Sequence, residues 1–274
     1  MFTLDEIHEI GKDLEQLYLL KTAPLAIRLI NEDEIPEGAK QPTKEGIHYA
    51  LCQAISYVRR TRHTMVMFAE DHWCLWPVIN FRLREIDEDD KRYVGSGYFI
   101  RGREASYDHF IREYPYIDGK KAKKGMALAP LTDCTFVPDA VMIYCEPSQL
   151  RQFLMAAKYE SANIAGSSFD TCDSCGAALV PVLNGEMPYN VSIPDAGEFE
   201  RGLCGENEMI FTLSYDKLGD LIDAARGLNK AGFGLHQLAY DLRPDYPRPK
   251  FYDDMFKKWG LFSGGLRWEH PGER

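Results

Sequence analysis

Seven short runs of strand-like composition are spaced irregularly between longer segments that have helical periodicity. They are APLAIRLI at 23–30, TMVMFA at 64–69, YVGSGYFI at 93–100, MALAPLT at 126–132, DAVMIYCEP at 139–147, YNVSIPD at 189–195 and EMIFTLSY at 208–215. The order of elements is neither a regular strand–helix alternation nor a succession of strands alone. We therefore predict an α+β fold, in which a mixed or antiparallel sheet is packed with helices.

The domain organisation follows from changes in composition. Residues 1–240 are predicted to form a single compact α+β domain, with two weakly related halves at Ala23–Trp76 and Asp139–Leu179. Each half would contain a strand, a helix and a cysteine-bearing helix start. Residues 241–274 are rich in Pro, Gly and aromatic residues, and we expect them to cover the surface without regular structure.

Helix boundaries are indicated by capping residues and apolar spacing. Thr3 and Glu6 form a capping box before the first helix. Residues 44–63 are predicted as a helix whose apolar face includes Ile47 and Leu51. Asp216 is predicted to cap a helix that ends near Gly232.

The charge of the chain restricts its partners. The formal net charge is −10, which disfavours binding to nucleic acid or to an anionic membrane surface. The N-terminal segment carries acids where a signal peptide would be basic, and no run approaches the ~18 apolar residues of a membrane span. We expect a cytoplasmic protein, with a homodimer as the default assembly.

The seven cysteines are odd in number and irregular in spacing, which predicts free thiols rather than a disulfide framework. Asp170 is predicted to cap a helix that carries Cys172 and Cys175, and Asp71 to cap one that carries Cys74. A helix N-terminus lowers a thiol pKa and so favours metal ligation. Cys52 is predicted to lie on a helix face, one turn after His48.

Three kinds of cysteine site are compatible with this pattern, beside simple burial. A thioredoxin-like dithiol needs a strand before the CxxC, but a Gly/Ser loop precedes it here. A zinc site needs a second pair of ligands with recognisable spacing, and none is present, which makes zinc the weaker alternative. An iron–sulfur cluster accepts dispersed thiolates, and its predicted ligands are Cys52, Cys74, Cys172 and Cys175. Cys134 and Cys145 fit burial as small apolar residues.

Other motifs point to no particular chemistry. The strings GxSxG, HExxH and the P-loop are absent, and Gly95 and Gly97 form only part of a dinucleotide fingerprint. The acidic run at 87–90 is interpreted as a solvated turn, and the basic run KKAKK at 120–124 as a solvated face. Trp73 and Trp76 flank Cys74, where they could screen a cofactor or simply pack in a core. The isolated histidines are interpreted as surface or core residues: His48, His63, His72, His109 and His236.

Several segments, in order, resemble the family called domain of unknown function 169. They are PLAIRLI, ALCQAISYVRRTRHTMVMFAEDHWC, MALAPL, PDAVMIYCEPSQLRQFLMAAKYESA and GEMPYNVSIPDAGEF, within a resemblance that runs from about Leu14 to about Leu228. The resemblance implies family cysteines at Cys52 and Cys74, a Pro-Asp pair at Pro138 and Asp139, and an acidic residue near Glu208. It also implies a proline–cysteine pair where this chain has Pro194 and Asp195.

These observations lead to two functional hypotheses. In the first, the protein binds an iron–sulfur cluster or another metal through the four cysteines, in a redox or small-molecule role. In the second, it is a non-enzymatic module for small-molecule binding or assembly, and its cysteines only pack.

Overall fold

The computed structural model describes residues 2–97, 101–161, 165–234 and 250–261. The strands are β1 (Leu25–Ile30), β2 (Met65–Phe68), β3 (Gly125–Pro130), β4 (Ala140–Cys145), β5 (Gly166–Ser167), β6 (Tyr189–Ser192) and β7 (Met209–Ser214). The helices are α1 (Leu4–Tyr18), α2 (Leu51–Thr61), α3 (Leu75–Asn80), α4 (Glu88–Gly95), α5 (Arg103–Glu113), α6 (Pro147–Ser161), α7 (Ser174–Asn184), α8 (Ala196–Glu200), α9 (Leu218–Lys230) and α10 (Lys250–Lys258).

The strands form one sheet in the order β2-β3-β1-β4-β7-β6-β5. All neighbouring pairs are antiparallel except β5 and β6, which are parallel. Strand β1 lies inside the sheet, with Ile27 opposite Leu128 of β3 on one side and Ala140 of β4 on the other. The α+β prediction with a mixed sheet is confirmed.

Both faces of the sheet are buried, which explains why its strands lack polar alternation. On one face, Ala26 and Ile30 pack into a core with residues of α1, α6 and α9. On the other face, Ile27 and Leu29 pack into a second core with residues of α2 and α7. The functional side chains described below lie beside this second core.

Some helix boundaries follow from local sequence, and others do not. The capping box is confirmed, because Thr3 Oγ1 accepts a hydrogen bond from Glu6 N and Glu6 Oε2 accepts one from Thr3 N. The helix predicted over 44–63 begins only at Leu51, since Pro42–Glu45 form a separate 3-10 turn that ends at Gly46 with φ +74°. Ile47 is therefore 39% exposed, and His48 is not on a helix face with Cys52.

Two predictions assigned the wrong type of secondary structure. Residues 93–95 of the strand predicted at 93–100 belong to α4, and 98–100 lie outside the described residues. The acidic run begins α4 instead of forming a turn, because Asp87 accepts a hydrogen bond from Asp90 N and acids favour a helix N-terminus.

The C-terminal segment also differs from expectation where it is described. Residues 250–258 form α10, a helix, although we predicted irregular structure over 241–274. Residues 241–249 and 262–274 lie outside the described residues. The domain boundary near 240 and the two related halves stay predictions.

None of the helices in the described ranges combines the length and apolar character needed to cross a membrane.

A substitution at Phe211 tests the packing of the core that contains α1, α6 and α9. The Phe211 ring is fully buried and stacks on Phe153 with ring centroids 5.1 Å apart. Phe211→Ala should lower the free energy of unfolding by about 3–5 kcal/mol, because the vacated space cannot fully collapse. Urea denaturation measures this, with Phe169→Ala as the control: Phe169 is 59% exposed, and its loss should cost less than about 1 kcal/mol. Equal effects of the two variants would contradict this packing.

Candidate functional site

The segment that contains the CxxC motif begins α7 one turn later than predicted. Asp173, not Asp170, is the N-cap, and it accepts a hydrogen bond from Gly176 N at 3.3 Å. Asp170 instead accepts one from Cys172 N at 2.8 Å. Cys172 therefore precedes the helix, and only Cys175 lies in its first turn.

The Asp173 carboxyl is fully buried and joins three helices. Its Oδ2 accepts hydrogen bonds from the Tyr114 hydroxyl at 2.7 Å, just after α5, and from the Asn80 amide, which ends α3. Its Oδ1 accepts from the Cys175 thiol at 3.3 Å. Burial outweighs these hydrogen bonds and raises the pKa of Asp173 to about 6.

A second buried carboxyl, Glu198, lies in α8. It accepts hydrogen bonds from the Tyr144 hydroxyl at 2.8 Å and from the Ser174 hydroxyl at 3.0 Å. Asp195 accepts from the backbone N–H groups of Ser174 and Glu198, and so links the start of α7 to the start of α8. Burial, aided by the charge of Asp195, raises the pKa of Glu198 to about 7.

The network continues to an ion pair between Arg59 and Glu208. The guanidinium donates to both carboxylate oxygens, at 2.6 and 2.9 Å, and lies 4.1 Å from the centroid of the Tyr144 ring. Its two hydrogen bonds to Glu208 offset the effect of burial, and the pKa of Glu208 falls to about 2. The Cys204 thiol also donates to Glu208, at 3.1 Å.

The four predicted ligand cysteines lie around Asp195 and Asp173 without forming a shared centre. Cys52, in α2, is buried and its thiol donates to Gly197 O at 3.7 Å. Cys74 is the N-cap of α3, and Asp71 does not cap that helix. Nevertheless, the negative charge of Asp195 acts on all four thiols, which places them in one region of the molecule.

The expectation of lowered thiol pKa values was wrong. Burial raises the pKa of Cys52 to about 12 and that of Cys172 to about 11, and it also raises the pKa values of Cys74 and Cys175. Desolvation and the nearby carboxylates therefore outweigh the helix N-terminus. At neutral pH these groups are protonated thiols, whereas ligation requires thiolates.

Metal binding receives no support from the arrangement of side chains. Within the four described ranges, no three His, Cys, Asp or Glu residues are placed to hold one metal ion. A metal centre at the four cysteines would need side-chain rearrangement as well as loss of protons. Cys134 and Cys145, as expected, are buried among apolar residues.

Two neighbouring cavities lie beside this network, against α3, α4 and α5. The larger one measures about 780 Å³ and the smaller one about 380 Å³. They share Ile79, Arg84 and Ile86 in their linings, so they lie side by side, and we call them the paired cavities. The larger lining also contains Asn31, Arg82, Leu83, Glu85, Glu88, Lys91, Ile111, Tyr116, Gly119, Ala122, Lys123 and Lys124. The smaller lining also contains His72, Trp73, Cys74, Leu75, Val78, Asp90 and Val94.

Two buried polar side chains in these linings lack a hydrogen-bonding partner among the described residues. The ring nitrogens of His72 and the hydroxyl oxygen of Tyr116 are buried, and neither group forms a hydrogen bond in the part of the chain that is described. Burial lowers the pKa of His72 to about 4, so its ring is neutral, and it raises the pKa of Tyr116. Such groups retain hydrogen-bonding capacity for a ligand.

Most of these residues carry no distinguishing signal in the sequence. Arg59 stands beside other basic residues at the end of α2, a pattern typical of exposed helix-end charges, although it is 2% exposed. Tyr114, Asn80 and Glu198 stand singly among ordinary residues, so only the fold brings them together. Lys123 and Lys124, interpreted as solvated surface, line the larger cavity.

The fold and this site define an α+β protein with a two-sided mixed sheet, a buried carboxyl–thiol network and an adjoining pair of cavities. The chain belongs to the family described as DUF169, Uncharacterised ArCR, which matches residues 13–224 and confirms the resemblance seen in the sequence.

One relative comes from Methanocaldococcus jannaschii and bears the name "Uncharacterized protein MJ0308". It is 25% identical over 227 residues, which cover 81% of this chain and 94% of the relative. No solved structure matches the chain.

Glu198 should make the protein less stable as the pH rises. Its pKa is about 7 when folded and 4.5 as an ordinary glutamate, so the folded state holds a proton that the unfolded chain releases between these values. This contribution of Glu198 to the free energy of unfolding should fall from about pH 4.5 through pH 7, by on the order of 2 kcal/mol. Asp173 contributes with the same sign up to about pH 6. His72 opposes both between about pH 4 and pH 6.5, because burial lowers its pKa, and Glu208 does so only below about pH 4.5.

Denaturant titrations at pH 5 and pH 8 measure this dependence. Glu198→Gln keeps the side-chain shape and should remove the Glu198 contribution, so that the stability at pH 8, relative to that at pH 5, is higher than in the wild type. Glu200→Gln, an exposed position on the same helix, should retain that contribution. A Glu198→Gln variant with the wild-type pH dependence would contradict the assignment.

Proposed function

We propose that this protein binds a small organic molecule in the paired cavities. The observation that carries the proposal is a pair of cavities that adjoin two buried polar groups without a hydrogen-bonding partner among the described residues. The volume of the larger cavity, about 780 Å³, falls within the usual range for small-molecule sites. The walls combine apolar side chains with a larger number of polar and charged ones.

The unpartnered groups give the proposal its energetic basis. A buried polar atom without a hydrogen bond costs about 1–3 kcal/mol. Tyr116 belongs to the lining of the larger cavity and His72 to that of the smaller one, while their unpartnered polar atoms are buried. A ligand that reaches either group would recover that free energy on binding.

The walls are held in place before any ligand binds. Asp173 is hydrogen-bonded to Asn80 at the end of α3 and to Tyr114 just after α5. These two helices contribute Ile79 and Ile111 to the larger cavity. A site whose walls are already fixed loses less entropy on binding.

The uncharged fluorescent probe N-phenyl-1-naphthylamine should bind at the paired cavities. Ile111→Trp should weaken this binding about tenfold, or about 1.4 kcal/mol, because the larger ring occupies the cavity. Fluorescence titration measures the dissociation constant. Ile111 is 44% exposed, so the variant should remain folded.

Ile35→Trp is the matched control, because Ile35 is also partly exposed, at 37%, and lines neither cavity. It should bind the probe like the wild type. Absence of saturable binding, or equal binding by the Ile111→Trp variant, would contradict the proposal.

The second candidate is the binding of an iron–sulfur cluster, or less plausibly zinc, through Cys52, Cys74, Cys172 and Cys175. It is favoured by one observation, that the charge of Asp195 reaches all four thiols. Such binding would require the four protonated thiols to release their protons. Asp195 itself stands where the family resemblance implies a cysteine.

On this second candidate, protein purified anaerobically should contain iron and acid-labile sulfide and should absorb in the visible range. Cys175→Ser should lose both components, because an alcohol is a poor substitute for a thiolate ligand. Cys145→Ser, a buried position within β4, should keep them. Colourless protein free of metal would eliminate this candidate and leave the first one unaffected.

A further inference from the structure

The larger cavity has a positive lining in an acidic protein. Five basic side chains and two acidic ones line it, whereas the formal net charge of the chain is −10. The basic residues come from three separate segments, the loop before α4, α4 itself and the end of the KKAKK run. The fold therefore gathers positive charge at a cavity that no single stretch of sequence would reveal.

Three of these cations already have partners. Lys91 pairs with Glu88, and Lys123 lies 3.5 Å from Glu34. Arg82 donates to the carbonyl of Ile117 at 2.9 Å and lies over the Tyr116 ring. Their charges are at least partly balanced within the protein.

Arg84 and Lys124 are different. Neither forms a hydrogen bond or ion pair with any residue in the described part of the chain. Arg84 also lies in the wall common to both cavities. Arg84 and Lys124 both line the larger cavity, so an anionic ligand there would meet both side chains.

The chemistry of these side chains selects the ligand. A guanidinium presents paired N–H donors that match the oxygens of a carboxylate, phosphate or sulfonate, and an ammonium adds a point charge. Ile79, Ile86 and Ile111 provide apolar surface in the same lining. A ligand that satisfies both features has an anionic group attached to an apolar body.

The neighbouring acids restrict the charge of the ligand. Glu85 and Glu88 line the same cavity and would repel an extended polyanion. Nucleic-acid binding is further disfavoured because it requires a broad positive surface. A small molecule with one anionic group fits the local balance of charge.

We infer that the ligand of the paired cavities is a small organic anion with an apolar body, whose anionic group binds Arg84 and Lys124. This inference rests on the proposed function, since it assigns the ligand class of the same site. It adds to that proposal two residues that discriminate between charged and uncharged molecules.

The test compares two probes with the same aromatic framework. 8-Anilinonaphthalene-1-sulfonate carries a sulfonate, and N-phenyl-1-naphthylamine lacks it. The wild type should bind the sulfonate about tenfold more tightly than the uncharged probe, a difference of about 1.4 kcal/mol. The preference should weaken as salt is added, because both cations are exposed.

The double variant Arg84→Met, Lys124→Met should lose this preference and keep its affinity for the uncharged probe within about twofold. Lys120→Met is the control: Lys120 belongs to the same basic run, is exposed and does not line the cavity. It should behave like the wild type with both probes. Thermal unfolding of each variant shows whether it remains folded.

The possible outcomes separate this inference from the proposed function. If neither probe binds, the proposed function fails and the inference fails with it. If both probes bind equally, or if the double variant retains the preference for the sulfonate, the inference alone is overturned. If Lys120→Met removes the preference as well, general surface charge explains it and the inference is again overturned.

Discussion

The hydrogen bonds of Asp173 are the constraint on which the site depends. A single buried carboxyl caps α7 and accepts hydrogen bonds from Asn80 at the end of α3 and Tyr114 after α5. Helices α3 and α5 also form walls of the paired cavities. The charged form of Asp173 is costly at this depth, which is why its pKa rises to about 6. The burial of Asp173 beside these helices therefore explains both how the cavity walls are positioned and why the pKa of this carboxyl is raised.

Two opposing effects act on the pKa values of the thiols: the helix N-terminus lowers them, and burial raises them. A helix N-terminus favours an anion by about 0.3–1 kcal/mol. Burial of Cys52 shifts its pKa from 9 to about 12, which corresponds to a few kcal/mol in the opposite direction, about 1.4 for each pKa unit. Desolvation therefore decides the protonation state, and the region holds neutral thiols beside carboxyls that also tend toward neutrality.

The parts that sequence analysis predicted well are those governed by local rules. The apolar runs of β1, β3, β4 and β7 and the capping box at Thr3 depend on neighbouring residues, and they were found. The strand predicted at Tyr93 failed because its β-branched and aromatic composition was outweighed by the N-cap at Asp87. The carboxyl network was missed since its members, such as Asn80 and Glu198, are far apart in sequence and meet only in the fold.

The two edges of the sheet have a consequence for self-association. At one edge, Lys40 covers β2 through hydrogen bonds to Thr64 O and from Val66 N, both 2.9 Å long. At the other edge, β5 has only the two residues Gly166 and Ser167. Neither edge of the described sheet presents a long row of open backbone groups, so templated strand addition, the usual start of fibrous aggregation, is disfavoured. A dimer of this protein would have to form through helices or loops.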